Sequence, residues 1–145
     1  MIIVRPALVH EHAALADMAV AAMRDAIIWH APDHFKPEIF LADASGDALF
    51  AAERDGVLCG VLGFYAPDNF IHSLFVAPGQ QRCGVGRALM EKARELANGP
   101  LSLKVDEPNH AARAFYARFG FAEAGGEAGR GVTDGVPWLA LRARS

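Results

Sequence analysis

The sequence predicts an α+β fold with a central mixed, mostly antiparallel sheet flanked by helices. Apolar residues recur at helical spacing in two long segments, residues 10–28 and 85–96. Three β-prone segments joined by short turns lie between these helices, which is typical of antiparallel strands. The predicted order is β-α-α-β-β-β-α-β-α-β. This order is neither purely alternating nor all-β, so it favours a mixed sheet.

Composition narrows the class of protein. The chain has 145 residues, 52% hydrophobic and 21% charged, which predicts one ordered domain over residues 1–145. No apolar run reaches the roughly 18 residues of a membrane span, and the N-terminus lacks a signal-peptide pattern. A net charge of −3 gives no case for nucleic acid or an anionic membrane as partner. Cys59 and Cys83 are too few for a zinc or disulfide framework, so we expect a cytoplasmic protein.

The first half of the chain contains strong turn signals. Asp55-Gly56 predicts a tight hairpin between two β-prone segments. Pro32 must end any helix that precedes it, and Asp43 to Asp47 forms a turn. The predicted elements are a strand at 2–8, a long helix at 10–28, a short helix at 38–42, and strands at 48–54, 57–65 and 70–76.

The second half is bounded by helix stops and caps. Asn98-Gly99-Pro100 ends one helix, Asn109 is a suitable N-cap for the next, and Gly120 ends it. The segment after Phe121 is rich in glycine and poor in strand formers. The predicted elements are a helix at 85–96, a strand at 101–105, a helix at 110–119, a final strand at 136–142, and one further strand near 121–127.

The loop between the strand at 70–76 and the helix at 85–96 carries the clearest functional signal. A glycine-bearing loop that leads into a helix aims free N–H groups at one point and favours an anion such as pyrophosphate. A Rossmann fingerprint requires Gly or Ala where Leu89 stands. A Walker A loop requires Lys-Ser/Thr where Val85-Gly86 stands. A third pattern, Gln/Arg-x-x-Gly-x-Gly/Ala, fits Gln81 to Gly86.

In this loop the sequence resembles the GCN5-related N-acetyltransferases (the GNAT superfamily), in which the loop holds the pyrophosphate of acetyl-CoA. A second segment, residues 109–121, resembles the family's Asn-x-x-Ala-x-x-Phe-Tyr-x-x-x-Gly-Phe pattern. The order of elements is also that of the GNAT fold, so the resemblance covers nearly the whole chain. It implies an acyltransferase that moves an acetyl group from acetyl-CoA directly to a primary amine of a small molecule or peptide.

Two other functions stay open at this point. One is a GNAT-fold module that binds acyl-CoA without catalysis, as a sensor or interaction domain. The other is a nucleotide-binding protein of another fold. The tyrosine of the second segment, Tyr116, favours the enzyme. The acceptor amine, the acyl-chain preference and the oligomeric state, a homodimer included, are left open.

The resemblance implies a set of donor-binding residues. Backbone groups of Leu74 to Val76 would polarise the thioester carbonyl, because in this family the strand carries a bulge and splays from its neighbour. Backbone N–H groups of Arg82 to Arg87 would hold the phosphates, and the two arginines either add charge or are simply solvated. The cofactor-binding residues implied in this way are Leu74, Phe75, Val76, Gln81, Arg82, Cys83, Gly84, Val85, Gly86, Arg87, Asn109, Ala112 and Tyr116.

Tyr116 and His72 are the catalytic candidates. Tyr116 lies two helical turns after Asn109, so both share a face with Ala112. A phenol that protonates a thiolate works uphill by roughly 2 kcal/mol, so Tyr116 supplies at most a hydrogen bond or proton to the leaving thiolate. His72 is a candidate because histidine is the side-chain type that suits a general base near neutral pH. Strict alternation would place it on one strand face with Phe70 and Leu74.

Both candidates have a purely structural alternative, a packed tyrosine and a satisfied core histidine. Water-mediated proton removal by Glu53, His30 or His34 is equally open. The segment from Trp29 to Phe35 resembles the part of the family that walls the acceptor pocket, which implies Trp29, His30 and His34 as substrate-binding residues. No metal is expected, because Pro32 interrupts the helix that would align His30 with His34 and no third ligand is near.

Overall fold

The computed structural model describes residues 1–144 and shows an eight-stranded, mostly antiparallel sheet with helices on both faces. The strands follow the order β1-β2-β3-β4-β5-β8-β6, and β7 pairs with β8 beside β6. The strands are β1 (Ile2–Pro6), β2 (Ala48–Arg54), β3 (Val57–Tyr65), β4 (Phe70–Val76), β5 (Ser102–Asp106), β6 (Phe121–Glu123), β7 (Arg130–Thr133) and β8 (Val136–Ala143); the α-helices are α1 (His12–Ala26), α2 (Pro37–Asp43), α3 (Val85–Leu96) and α4 (His110–Arg118).

Two cores lie on opposite faces of the sheet. On one face α1 and α2 pack through Leu15, Ala19 and Phe40 against Ala51 and Val61. On the other face α3 packs against the sheet through side chains that are almost fully buried, with residues of α4 at its margin. The residues of this second core include Leu62, Ile71, Leu89, Met90, Leu103 and Leu141. Both faces of the central strands are therefore buried, which explains the nearly continuous apolar run of β3.

The sheet opens between β4 and β5. These two strands are parallel and pair at a single register position, Phe70 with Ser102. Beyond it β4 continues to Val76 and β5 to Asp106 without pairing to each other. The edge of Leu74 to Val76 that faces β5 therefore has no strand partner, and a gap opens toward the carboxyl ends of both strands.

A bulge lies in β4 just before this gap. Gly63 pairs with Ser73 and Phe64 pairs with Ile71, so His72 is the extra residue. In a bulge of this type the two residues that oppose a single residue of the partner strand, here His72 and Ser73, point to the same side of the sheet. Ile71 and Leu74 belong to the core of α3 and α4, whereas His72 and Ser73 both line a pocket on the α1 and α2 side. Strict alternation of His72 with Leu74 was therefore a wrong prediction.

Most predicted elements coincide with the observed ones. The bounds of β2, β3, β4 and α3 match the sequence prediction. The first helix is shorter than predicted at both ends, because a 3₁₀ turn at Val9–Glu11 precedes it and the chain leaves the helix after Ala26. Strand β7 was not predicted. No helix within residues 1–144 has the length and apolarity needed to cross a membrane.

Candidate active site

A cleft of about 380 Å³ occupies the gap between β4 and β5. Its walls come from β4, β5, α1 and α4, and its floor is the unpaired edge of β4. The structure thus brings together many of the sequence-predicted residues. Those that line the cleft are His72, Leu74, Phe75, Val76, Gln81, Asn109, Ala112 and Tyr116.

The loop after β4 presents free N–H groups beside this cleft. Gly84 is the N-cap of α3 and has φ +86°, a backbone conformation that glycine adopts without strain. The first helical bond runs from Ala88 N–H to the Gly84 carbonyl. Within the described chain no acceptor takes up the N–H groups of Val85, Gly86 and Arg87. The first turn of α3 therefore retains its capacity to bind an anion.

Gly86 has a different role from Gly84. A Cβ at Gly86 would lie 3.1 Å from the Phe115 ring, so the glycine lets α4 approach the start of α3. The side chain of Val85 is buried at 1% exposure, which leaves only its backbone for a ligand. Gln81 Oε1 accepts from Gly79 N–H at 2.8 Å and braces the loop. Cys83 is exposed and its thiol contacts the Gln81 carbonyl.

A second cavity of about 810 Å³ continues from the cleft along α3 and α4. Val76, Gln81 and Ala111 line both cavities, so the two form one channel. Among residues 1–144, four arginine side chains and no Asp or Glu line the second cavity. This positive concentration stands out in a chain of net charge −3 and suits a ligand with several phosphates. The four are Arg82, Arg87, Arg94 and Arg118.

Tyr116 lies on α4 with its ring against Phe115 and Phe121. Burial raises the pKa of Tyr116 to about 12, because the phenolate would lose its hydration. No hydrogen bond to its hydroxyl is found among the described residues, and the side chain lines the cleft. Tyr116 thus offers a neutral O–H donor to a ligand in the cleft.

Asn109 is confirmed as the N-cap of α4. Its Oδ1 accepts from Ala112 N–H at 3.1 Å, which fixes the side chain and leaves its amide NH₂ at the cleft. Ala112 lines the same wall one turn later. A small residue here keeps the wall of α4 open to an extended chain.

His72 stands at the boundary between the cleft and a third pocket. This third pocket has about 220 Å³ and lies between β4, α1 and α2. His72 and Phe75 line both spaces. The His72 ring is 39% exposed, and its Nδ1 lies 2.8 Å from Oδ2 of Asp47, whose side chain is only 2% exposed.

The segment between α1 and α2 forms part of the wall of the third pocket. His34 lines it together with apolar side chains such as Phe35, Ile39 and Phe40. The rings of His30 and His34 stack with centroids 4.1 Å apart. Trp29 lies elsewhere: its Nε1–H donates to Asp106 Oδ2 at 2.9 Å, which ties this segment to the end of β5.

Glu53 is not near this boundary. It lies on β2, two strands away from β4, and pairs with Arg5 at 3.0 Å. Among residues 1–144 no group of three His, Cys, Asp or Glu side chains is placed to hold a metal ion.

Sequence reasoning missed several residues of the site. Arg94 and Arg118 could have been found from the sequence. Once α3 is placed beside α4, these two arginines and Arg87 fall on the same side as the loop. Asp47 and Asp106 could not have been found in this way. The residues next to an aspartate in a turn do not show which side chain it will contact across the sheet. These residues line or support the cavities only after the strands are assembled.

Comparison with known proteins agrees with this geometry. The model of the acetyltransferase (GNAT) family matches residues 13–121. The chain is 30% identical over 135 residues to a 5-NmdU N-acetyltransferase of Pseudomonas phage PaMx11, an alignment that covers 86% of this chain and 90% of the phage protein.

Solved structures show the same fold. The apo form of YjaB from Escherichia coli has a TM-score of 0.81 at 23% identity, over 98% of this chain and 97% of that one. The PaiA N-acetyltransferase of Thermoplasma acidophilum, solved with coenzyme A, has a TM-score of 0.80 at 14% identity, over 100% and 99%.

Proposed function

The chain belongs to the acetyltransferase (GNAT) family, and we propose that it moves an acetyl group from acetyl-CoA directly to a primary amine of a small molecule or peptide. One observation carries the proposal. An arginine-lined cavity, which no Asp or Glu of the described residues lines, leads into the gap between β4 and β5, and His72 separates the end of that gap from the third pocket. This arrangement of cavities supports a reaction in which a polyanionic donor and an acceptor enter from different sides and meet at one point.

The donor would lie along the channel. The free N–H groups at the start of α3 and the four arginines would bind its phosphates. The unpaired edge of Leu74 to Val76 offers N–H donors to the thioester carbonyl. One preorganised donor of this kind is typically worth about 3 kcal/mol of transition-state stabilisation.

Two protons must leave the amine nitrogen during the reaction. We assign the first to His72, which would take it from the ammonium so that a neutral amine attacks the carbonyl carbon. The C–N bond forms, the C–S bond breaks, and the thiolate leaves. The second proton ends on the CoA sulfur, beside the neutral hydroxyl of Tyr116. No acyl-enzyme is required, because the amine attacks the thioester itself.

The acceptor would enter through the third pocket. Its walls combine the apolar side chains of Met23, Phe35, Ile39 and Phe40 with the polar side chains of His34, Lys36, Asp43 and Ser73. Its volume of about 220 Å³ suits a compact amine or the end of a larger molecule. His34 lines this pocket directly, whereas Trp29 braces the end of β5 through its hydrogen bond to Asp106.

Release of free thiol from acetyl-CoA, measured against a panel of amines, tests the function. The panel should contain free amino acids, peptides with free N-termini, polyamines and 5-NmdU, the compound in the phage relative's name. We expect thiol release in step with acetylated amine for one class. Thermal stabilisation by acetyl-CoA without turnover on any amine would instead support a non-catalytic acyl-CoA-binding module. Stabilisation by ATP but not by CoA would contradict both.

A further inference from the structure

We propose that Asp47 is the positioning residue for His72, and that the two form a dyad that fixes which ring nitrogen acts as the base. The inference rests on the proposed function, in which His72 takes a proton from the acceptor. The observation behind it is the pair itself: Nδ1 of His72 and Oδ2 of Asp47 lie 2.8 Å apart, although the two residues are 25 positions apart in the sequence.

The two members of the pair differ sharply in burial. The Asp47 side chain is 2% exposed and the His72 ring is 39% exposed. A buried carboxylate is costly unless it is hydrogen-bonded, and His72 is the partner found for it among the described side chains. The carboxylate thus lies behind the ring, and the rest of the ring faces the cleft and the third pocket.

The fold makes room for this contact in two ways. The bulge at His72 turns both His72 and Ser73 toward the acceptor side. On the neighbouring strand, Gly63 leaves space for the carboxylate, since a Cβ there would lie 3.2 Å from Asp47 Oδ2. Asp47 itself ends the turn before β2, where its N–H donates to the Ala44 carbonyl at 2.9 Å.

The chemistry follows from the hydrogen-bond inventory. An ionised carboxylate only accepts, so the proton of the neutral imidazole must lie on Nδ1. The lone pair then lies on Nε2, for which no partner is found within the described chain. Nε2 accepts the proton from the acceptor ammonium, and the imidazolium formed is stabilised by the carboxylate behind it. The proton then passes to solvent, and the ring returns to its starting tautomer.

The tautomer of His72 is directly measurable. In ¹⁵N-labelled wild-type protein, the ring shifts and couplings should identify neutral His72 as the Nδ1–H form. In Asp47→Asn the amide NH₂ can donate to Nδ1, so the proton should move to Nε2. A wild-type His72 in the Nε2–H form would overturn the proposal without any variant being made.

Kinetics give a second, independent readout. We expect Asp47→Asn to lower kcat about 100-fold, with KM for acetyl-CoA within twofold of wild type. Asp47→Asn combined with His72→Gln should be no slower than His72→Gln alone, because both changes remove the same function. Asp17→Asn, an exposed aspartate on α1, is the matched control and should retain wild-type kcat.

The outcomes separate the dyad from a purely structural contact. Asp47→Asn within twofold of wild-type kcat, or effects that multiply in the double variant, would overturn the proposal. If the wild type acetylates no amine, the proposed function fails, and the tautomer measurement still decides whether Asp47 orients His72.

Discussion

At the scale of single residues, burial sets what Tyr116 can contribute. With its pKa at about 12, proton transfer to a thiolate of pKa about 8.5 is uphill by roughly 5 kcal/mol. The sequence alone predicted a smaller gap. Tyr116 is therefore a poor acid but a persistent hydrogen-bond donor, since it stays neutral at any pH the enzyme meets.

Tyr116→Phe should lower kcat about 10- to 100-fold, the range of one hydrogen bond to a charged group. KM for acetyl-CoA should stay within twofold, because the thiolate forms only during reaction. The wild-type rate should show no alkaline limb from Tyr116 below pH 10. Steady-state thiol-release kinetics from pH 6 to 10 check both points.

Tyr65→Phe is the matched control for that experiment. The chain contains two tyrosines, and Tyr65 lies exposed at the end of β3. An unchanged kcat in Tyr116→Phe would show that the ring only packs against Phe115 and Phe121 and has no part in thiolate departure.

A second residue-scale prediction concerns acid stability. Arg5 donates to both oxygens of Glu11 at 2.8 Å, and Leu8 N–H donates to the same carboxylate. The Arg5 hydrogen bonds, with that of Leu8, lower the pKa of Glu11 to about 2. A carboxyl whose folded pKa is depressed stabilises the fold above its unfolded pKa and loses that effect as pH falls toward the folded value.

Urea unfolding of wild type and Glu11→Gln tests this linkage. The stability difference between them should be full at pH 7 and should shrink steadily between about pH 4.5 and pH 2. A difference that stays constant across that range would show that the charge of Glu11 does not contribute.

Some residue-scale features were predictable and others were not. Asn109 was predicted as a cap, because its partner is three residues away and the signal is local. Gly84 was predicted from the turn that precedes a helix. Asp47 and His72 are 25 residues apart, and their contact depends on the bulge at His72 in β4 and on the missing Cβ of Gly63 in β3. No local pattern encodes such a contact.

At the scale of elements, the contact of α3 with β3 holds the loop between β4 and α3 in place. Gly60 is buried under the first turns of α3, where a Cβ would lie 2.8 Å from Val85 and 3.0 Å from Leu89. Val85 is the first residue of α3, so a displaced Val85 also moves the N–H groups of the loop.

Gly60→Ala should destabilise the fold by about 1–3 kcal/mol through overpacking, which corresponds to a fall in Tm of roughly 5 °C. It should also weaken acetyl-CoA binding. Gly129→Ala is the matched control, since a Cβ there meets its nearest neighbour at an ordinary 3.6 Å. Calorimetry decides: an unchanged Tm in Gly60→Ala would mean that α3 can move away freely.

The facing sides of α3 and α4 supply the arginines of the second cavity. Arg118 is exposed at the end of α4. Arg118→Ala should weaken acetyl-CoA binding about fivefold, or about 1 kcal/mol, and should leave kcat unchanged. Binding in wild type should also weaken as salt rises.

Titration calorimetry at two salt concentrations measures both effects. Arg130→Ala, on β7 outside the cavity, is the control of equal charge. Equal losses in the two variants would indicate a general effect of net charge in place of a phosphate contact.

The same Asp-Gly turn signal occurs in two hairpins, and only the first was predicted. Asp55-Gly56 was predicted as a hairpin turn, and both residues adopt positive φ, at 53° and 79°. Asp134-Gly135 joins β7 to β8 with nearly the same angles, 50° and 79°. The turn was visible in the sequence, but the glycines before it masked β7. Gly131 is tolerated in that strand because the ring of Trp138 covers it.

At the scale of the whole molecule, the site depends on a break in the sheet. Pairing of β4 with β5 stops after one position, and this leaves a gap at the place where α3 and α4 both begin. The order of elements was predictable from periodicity and turn signals. The gap was expected only from the family resemblance, because strand composition does not show which edges remain unpaired.

The central claim is that this gap and the loop beside it hold acetyl-CoA, and amide shifts of ¹⁵N-labelled protein test it most directly. On titration with acetyl-CoA, the largest shifts should fall on residues 74–76 and 84–87 and on the side-chain amide of Asn109. ATP should leave residues 74–76 unchanged. Acetyl-CoA shifts that avoid residues 74–76, or equal shifts there with ATP, would contradict the claim.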